Sequence, residues 1–298
     1  MEPKPHLLLK LTQAREDRPL TTSAMGVREW YEERWRDETL DGQIYDSFYC
    51  SRATPEMMDA CWADGWRHFG TYFFRTQVDI LNGKPAIVLP LRVRVADFRL
   101  SKSQRRIWRK NQDVDVVIRP IEISGEHIKM FHAHKQRFTH NVPRDLSDFF
   151  SPQPAITPCL GYECRIIEKE TERLLAASFV DIGADALSSV YAMFDPKESQ
   201  RSLGILTLLC EIEYAQRLGK EFLYLGYAYN VSSFYDYKKY FSALEYYNWR
   251  GEWLPIAKAP APLPDLSAEG ENEQPPTHNS EQNSAQNSAQ NFGQPTDE

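Results

Sequence analysis

The segment "SLGILTLLCEIEYAQRLG" (202–219) constrains the fold of this chain more than any other. Ile205, Leu208, Leu209, Ile212 and Ala215 recur at the three- and four-residue spacing that lines one helix face. Gly219 stands where a left-handed cap would end the helix. Strand-like runs flank it: "YECRIIEKE", "RLLAASFVDIG" and "ALSSVYAMFD" before, "KEFLYLGYAY" and "LEYYNWRGEWLP" after. Strands that feed one long amphipathic helix and then resume predict an α+β core in which the helix covers a sheet.

The upstream half supplies further elements. Thr54 is a natural N-cap with Pro55 at the first helical position, and Met57, Met58, Cys61 and Trp62 form an apolar stripe that Gly65 or Gly70 would end. "TYFFRTQVDILNGKPAIVLPLRVRVADF" predicts a hairpin turning at Asn82–Lys84. A strand, "VDVVIRPI", and a helix, "SGEHIKMFHAHKQRF", follow. The His127, His132 and His134 of that helix lack zinc-motif spacing and are expected on an exposed face. "VREWYEERWRDE" reads as helix, with Trp30 and Trp35 in it. The chain thus divides into an N-terminal segment 1–53, a folded domain 54–255 and a tail 256–298. The tail is Pro/Ala-rich, then polar with the repeat "QNSAQNSAQN", and is expected to be disordered.

Charge is distributed unevenly. Of 42 acidic residues seven lie from Ile256 onward, with only one of the 35 basic residues. The tail therefore carries nearly all of the net charge of -7, and the body is close to neutral. Within that body "SKSQRRIWRKN" (101–111) gathers five cations. At 100° per residue Lys102, Arg106 and Lys110 form one ridge flanked by Arg105 and Arg109, with Ile107 and Trp108 opposite. Arg92, Arg94 and Arg99 precede them, giving eight cations against Asp97 alone. A charge run can simply be a solvated face; an excess this local also suits a polyanion such as RNA.

Five cysteines without C-x2-C spacing predict free thiols, no metal site and a reducing, cytoplasmic setting. No apolar run is long enough for a bilayer, so no membrane partner is expected, and the N-terminus lacks the pattern of a secretory signal.

The junction "DPKESQRSLGILTLL" places Arg201, Ser202 and Gly204 at a helix start, where free amides favour anions. The acetyltransferase (GNAT) superfamily binds a pyrophosphate here with Q/R-x-x-G-x-G/A. This chain matches the first half and has Leu206 in place of the second small residue, which counts against a plain acetyl-CoA enzyme.

"GWRHFGTYFFR", "PLRVRVADFRLSKSQRR", "SSVYAMFDP", "RSLG", "YLGY" and "YKKYF" followed by "LE" occur in this order between Trp66 and Glu245. Together they resemble the aminoacyl-tRNA–protein transferases, which include eukaryotic arginyltransferases and bacterial leucyltransferases of the N-degron pathway. The resemblance implies a GNAT-like transferase domain, a mixed and largely antiparallel sheet flanked by helices. It also implies transfer of an amino acid from aminoacyl-tRNA to the amino group of an acceptor protein or peptide, with no cofactor beyond the tRNA co-substrate. The sequence departs from the family in its N-terminal segment, where Cys50 and Cys61 are the only upstream cysteines. Ala228 stands where an aromatic is expected, and Ala243 where proline is common.

An aminoacyl ester is already activated, so catalysis needs alignment, removal of a proton from the amine and oxyanion stabilisation. The residues assigned to it are Tyr191, Tyr224, Tyr227, Lys238 and Glu245, with Glu245 as the group that accepts the amine proton or orients the amine. Lys102, Gln104, Arg105, Arg106, Arg201, Ser202 and Gly204 are assigned to tRNA. Two alternatives stand beside this reading: an acyl-CoA-dependent N-acyltransferase, and a catalytically inactive tRNA-binding relative.

Overall fold

The computed structural model describes residues 44–81, 84–138 and 142–261. The helix expected at "VREWYEERWRDE", the Asn82 turn and the polar tail lie outside the described residues.

Two sheets carry the chain. A small one has the order β1–β3–β2, from Tyr45–Tyr49 (β1), Arg67–Phe69 (β2) and Tyr72–Thr76 (β3). Since β1 pairs antiparallel with β3, residues 45–49 on the 1–53 side of the expected boundary are hydrogen-bonded into the fold. Between β1 and β2 lies helix α1, Pro55–Ala63. The Thr54 side chain accepts from Met57 N at its N-terminus, as its capping pattern predicts.

The large sheet begins with Val78–Leu81 (β4) and Lys84–Arg94 (β5), antiparallel partners with Leu81 opposite Lys84. After helix α2 (Lys102–Lys110) come Val114–Pro120 (β6), helix α3 (Gly125–Lys135), Leu160–Glu168 (β7), Leu174–Ile182 (β8) and Ala186–Phe194 (β9). Helix α4 (Leu203–Arg217) leads to Phe222–Tyr229 (β10), then Leu244–Tyr247 (β11) and Trp253–Pro255 (β12). The strand order is β12–β11–β5–β10–β9–β8–β7–β6, with β4 added on β5. Every pairing is antiparallel except β9 with β10, joined by the α4 crossover. The expected α+β class, a mixed and largely antiparallel sheet flanked by helices, is the one observed.

The α4 stripe does what its periodicity requires. Leu208, Leu209, Ile212 and Ala215 pack on Leu91, Val93, Leu187, Leu223 and Leu225 of the sheet. Burying each such aliphatic side chain contributes roughly 1.5–3 kcal/mol. Leu206, the residue that breaks the GNAT signature, is buried with Leu203 and Cys210 against Ile166, Leu175 and Ala176.

Helix α3 corrects one expectation. His127 and His134 are buried, not exposed; only His132 faces outward. Ser124 N donates to His127 Nδ1 at 3.2 Å, which leaves the ring proton on Nε2, 2.7 Å from Glu163 Oε2. Arg119 Nε donates to the other oxygen of Glu163 at 2.6 Å. The pair pins α3 to the β6–β7 ladder. Burial and the neighbouring Arg137 push the His134 pKa down to about 4. Among the described residues no helix is long and apolar enough to cross a membrane.

Candidate active site where two parallel strands part

The parallel pairing of β9 and β10 lasts three residues: Phe222 opposite Ala186, Leu223 opposite Leu187, Tyr224 opposite Ser188. Beyond it β9 stays with β8 and β10 stays with β5, so the two strands separate. Gly226 marks the opening. Its φ of +83° is costly for any residue with a Cβ, and the register of β10 on β5 shifts beside it.

Two cations meet in this opening, and one acid acts on them through its charge. Arg67, 9% exposed, reaches from β2 and donates from Nη1 to Ser188 Oγ at 2.5 Å and from Nη2 to Ser189 O. Lys238 comes from the 3-10 segment Phe234–Tyr240; the residue is half-buried, but its ammonium lies in dense surroundings and donates to Tyr227 O at 3.4 Å. A Cβ on Gly226 would sit 3.5 Å from both the Arg67 guanidinium and Lys238 Nζ, so both cations lie against the backbone at the point where the strands part. Glu211 of α4, 1% exposed, is the acid nearby, and neither carboxylate oxygen completes a hydrogen bond.

The electrostatics follow from burial. Desolvation and the Arg67 charge push the Lys238 pKa down to about 7, while Glu211 opposes them. Desolvation pushes the Glu211 carboxyl up to about 7 against the Ser178 and Ser189 hydroxyls, Lys238 and Arg67. Both groups therefore exchange protons near neutrality, as a site for acid–base chemistry requires.

The residues assigned from sequence divide sharply. Lys238 is at the centre. Tyr191 lines the β9 side: its hydroxyl is buried without a hydrogen-bond partner, its ring stacks on Phe149 at 4.1 Å, and burial raises its pKa. The Tyr227 hydroxyl is already committed, donating to Gly65 O at 2.7 Å, so it serves to hold the loop after α1. Tyr224 packs between Trp62 and Trp253. Glu245 lies opposite Arg92 across β11 and β5 and accepts from Arg92 Nε at 2.8 Å, with Arg94 Nε at 3.9 Å. Glu245, the expected base, is thus tied into an ion pair with Arg92, while Lys238 lies beside Arg67 where the strands part. Arg67 and Glu211 were absent from the sequence assignment.

The tRNA set divides as well. Ser101 caps α2, and Gln104 closes the reciprocal half of its capping box, its Oε1 accepting from Ser101 N at 2.9 Å. Gln104 is 4% exposed and faces inward, so it is a structural residue and not a phosphate contact. Arg201 is also turned inward: 8% exposed, it bonds Asn111 Oδ1 at 3.0 Å and Asp113 Oδ2, with Glu168 and Glu198 at 3.6 and 4.0 Å. Three acids already neutralise it and would repel a phosphate. Ser202 enters α4 with a φ of +56° and no side-chain cap, and a Cβ on Gly204 would meet only the Phe194 ring, at 3.5 Å. That helix start therefore lacks the close backbone approach of an anion site.

Lys102, Arg105 and Arg106 are exposed, as are Arg109 and Lys110, and none has a carboxylate partner among the described residues. Arg92 and Arg94 do, in Glu245 and Asp97. The free charge thus concentrates on α2.

One cluster could offer metal ligands. His68, Cys159 and Asp181 bring three donor atoms within 4.8 Å of one another, all buried. Burial keeps the Cys159 thiol protonated, and the His68 ring is already bridged between Asp181 Oδ2 at 2.7 Å and Gly70 O at 2.9 Å. That arrangement works as a clamp between β2 and β8 without an ion.

Comparison with known proteins identifies relatives of this chain. The family described as arginine-tRNA-protein transferase, C terminus, matches residues 125–248, which span β10 and both Glu211 and Lys238. Aspartate/glutamate leucyltransferase of Nitrosococcus oceani is 37% identical over 164 residues, covering 53% of this chain and 67% of that protein. The enzymes of the same name from Alcanivorax borkumensis and Acinetobacter baumannii are 32% and 30% identical over 198 and 204 residues. They cover 64% and 66% of this chain and 78% and 72% of those proteins. L-PGS from Bacillus licheniformis overlaps at a TM-score of 0.36 with 12% identity, over 58% of this chain and 63% of that one, too loose an overlap to carry weight. By these relatives the chain belongs to the aminoacyl-tRNA–protein transferases, enzymes that pass an amino acid from its tRNA to the amino group of a protein.

Proposed function

We propose that this protein transfers leucine from leucyl-tRNA to the α-amino group of polypeptides that begin with aspartate or glutamate, in the cytoplasm, as part of an N-degron pathway. The names of the relatives support the donor and the acceptor class. The observation that carries the chemistry is the Lys238 ammonium beside Arg67 where β9 and β10 part.

Neutral Lys238 takes a proton from the acceptor's α-ammonium. The freed amine attacks the ester carbonyl, a C–N bond forms, the attacking nitrogen releases its second proton to water and the ester C–O bond breaks. The proton passes from Lys238 to the ribose oxygen that leaves. Arg67 supplies the fixed cation that lowers the Lys238 pKa and so keeps its amine neutral near pH 7, and it faces the oxyanion. The charge of Glu211 opposes the downward push on the Lys238 pKa. No resident cofactor is needed, because the ester arrives activated.

Arginine as the transferred residue is the second reading, favoured by the description of the family that matches 125–248. Labelled leucyl- and arginyl-tRNA, each offered to peptides with N-terminal Asp, Glu, Ala or Lys, separate the two. Label moving from leucyl-tRNA to the Asp and Glu peptides is expected; label from arginyl-tRNA alone would transfer the assignment to arginine. In the same assay the double charge reversal Arg105→Glu with Arg106→Glu is expected to weaken tRNA binding at least tenfold near 0.1 M salt. It should also flatten the dependence of affinity on salt. Unchanged binding by a folded variant would remove α2 from the interface.

A further inference from the structure

Leu100, Arg105, Trp108 and Arg109 line an open cleft of about 280 Å³ beside α2. Its lining combines two features that rarely share a surface. Trp108 and Leu100 are apolar, and Trp108 is half-buried, one part of its indole packed into the two core clusters on either side of α4. The tryptophan is therefore held rigidly with a face left over.

The rim is cationic and oriented. Arg105 donates from Nη1 to Leu100 O, and Arg109 Nε donates to Arg105 O at 3.4 Å, so both guanidinium groups are tethered to the local backbone at the rim. Neither has a carboxylate partner among the described residues, and the acids nearest in sequence, Asp97 and Asp113, are taken by Arg94 and Arg201.

We propose that this cleft is a nucleotide-stacking site. It takes one unpaired nucleobase against the face of Trp108, with the flanking phosphates held by Arg105 and Arg109. A duplex presents phosphates to a helix but no base face, which would leave the Trp108–Leu100 floor unused. A single-stranded RNA end offers both, and stacking on an aromatic side chain with phosphates in a basic groove is how such strands are held. The inference rests on the proposal that the donor is a tRNA, whose acylated end is single-stranded.

The test uses the full chain, a fluorescein-labelled RNA tetranucleotide and a blunt RNA hairpin, followed by anisotropy across a salt series. Trp108→Leu is expected to weaken tetranucleotide binding about tenfold or more, to leave hairpin binding unchanged and to keep the salt slope. Trp108→Tyr, which retains a stacking face, should restore most of the loss. It also guards against misreading a folding defect, since both variants occupy the same packed position. Arg105→Gln with Arg109→Gln should weaken both RNAs and lower the slope by about two. Tetranucleotide binding by folded Trp108→Leu equal to wild type would overturn the proposal, as would an equal loss for the hairpin or a failure of Trp108→Tyr to rescue. Transfer from charged tRNA by wild type, with no role for Trp108 in tetranucleotide binding, would sink this inference alone. Trp108-dependent binding without transfer from any aminoacyl-tRNA would sink the donor assignment instead.

Discussion

Lys238→Met is expected to slow aminoacyl transfer by about 10²–10⁴-fold, the range that a positioned general base supplies. Methionine fills a similar volume, keeps the apolar stem and cannot carry a proton. Because Lys238 is pushed down to about 7, wild-type kcat/KM should rise as pH passes through that value and the amine becomes neutral. The Met variant should lack that limb. Glu211→Gln removes the one neighbour that raises the Lys238 pKa, so the limb should move to lower pH while activity persists. A purely structural role for Glu211 would change the rate without moving the profile.

The same shift has a signature in stability. The folded-state pKa of Lys238 lies below the ordinary lysine value of 10.5, so between about 7 and 10.5 the unfolded chain binds more protons and wild-type stability rises with pH. Its burial costs most below pH 7. Lys238→Met should remove this slope and be at least as stable as wild type at pH 7. A folded Met variant with undiminished transfer would dismiss Lys238 as the base.

Glu163→Ala carries the largest expected cost in stability, about 3 kcal/mol by urea unfolding. Its side chain is fully buried between His127 and Arg119, and removing it strands the His127 Nε2 proton in the core. Arg119 is 41% exposed, so solvent screens its half of the pair and the figure belongs at the low end for a buried ion pair. Burial alone would raise the Glu163 pKa, but the hydrogen bonds from His127 and Arg119 outweigh it and the pKa is lowered. The pair's contribution is therefore present above the usual value of 4.5 and is lost as pH falls through the depressed folded value. Wild type and Glu163→Ala should converge in acid. Equal stabilities at pH 7 would show that the pair does not hold α3 to the sheet.

What the sequence reveals about this molecule depends on the range of the interaction. The Thr54 cap, the α4 stripe and the cationic face of α2 are local, and each is where its spacing puts it. Two misplacements were also legible. His127, Met130, Phe131 and His134 are spaced i, i+3, i+4, i+7, a buried stripe that is hidden only when apolar residues alone are counted. Glu211 shares the face of Leu208 and Ala215, so a carboxylate within the apolar stripe marked the site.

Other assignments had no local signal. Arg67 reaches Ser188 and Ser189 across more than 120 residues, and the clamp on Glu245 depends on the register of β11 against β5. Arg201 looked like an anion ligand because Asp113, which neutralises it, lies 88 residues earlier in the chain. Pairings of this kind are set by topology, and no spacing within a single element encodes them.

The most direct test of the central claim is a single-turnover competition for one acceptor peptide bearing an N-terminal glutamate. Wild-type protein is offered ¹⁴C-leucyl-tRNA and ³H-acetyl-CoA together. The account predicts ¹⁴C in the peptide at its amino terminus, no ³H, and loss of the ¹⁴C signal with Lys238→Met. Tritium in the peptide without ¹⁴C would contradict it and return the chain to the acyl-CoA-dependent enzymes.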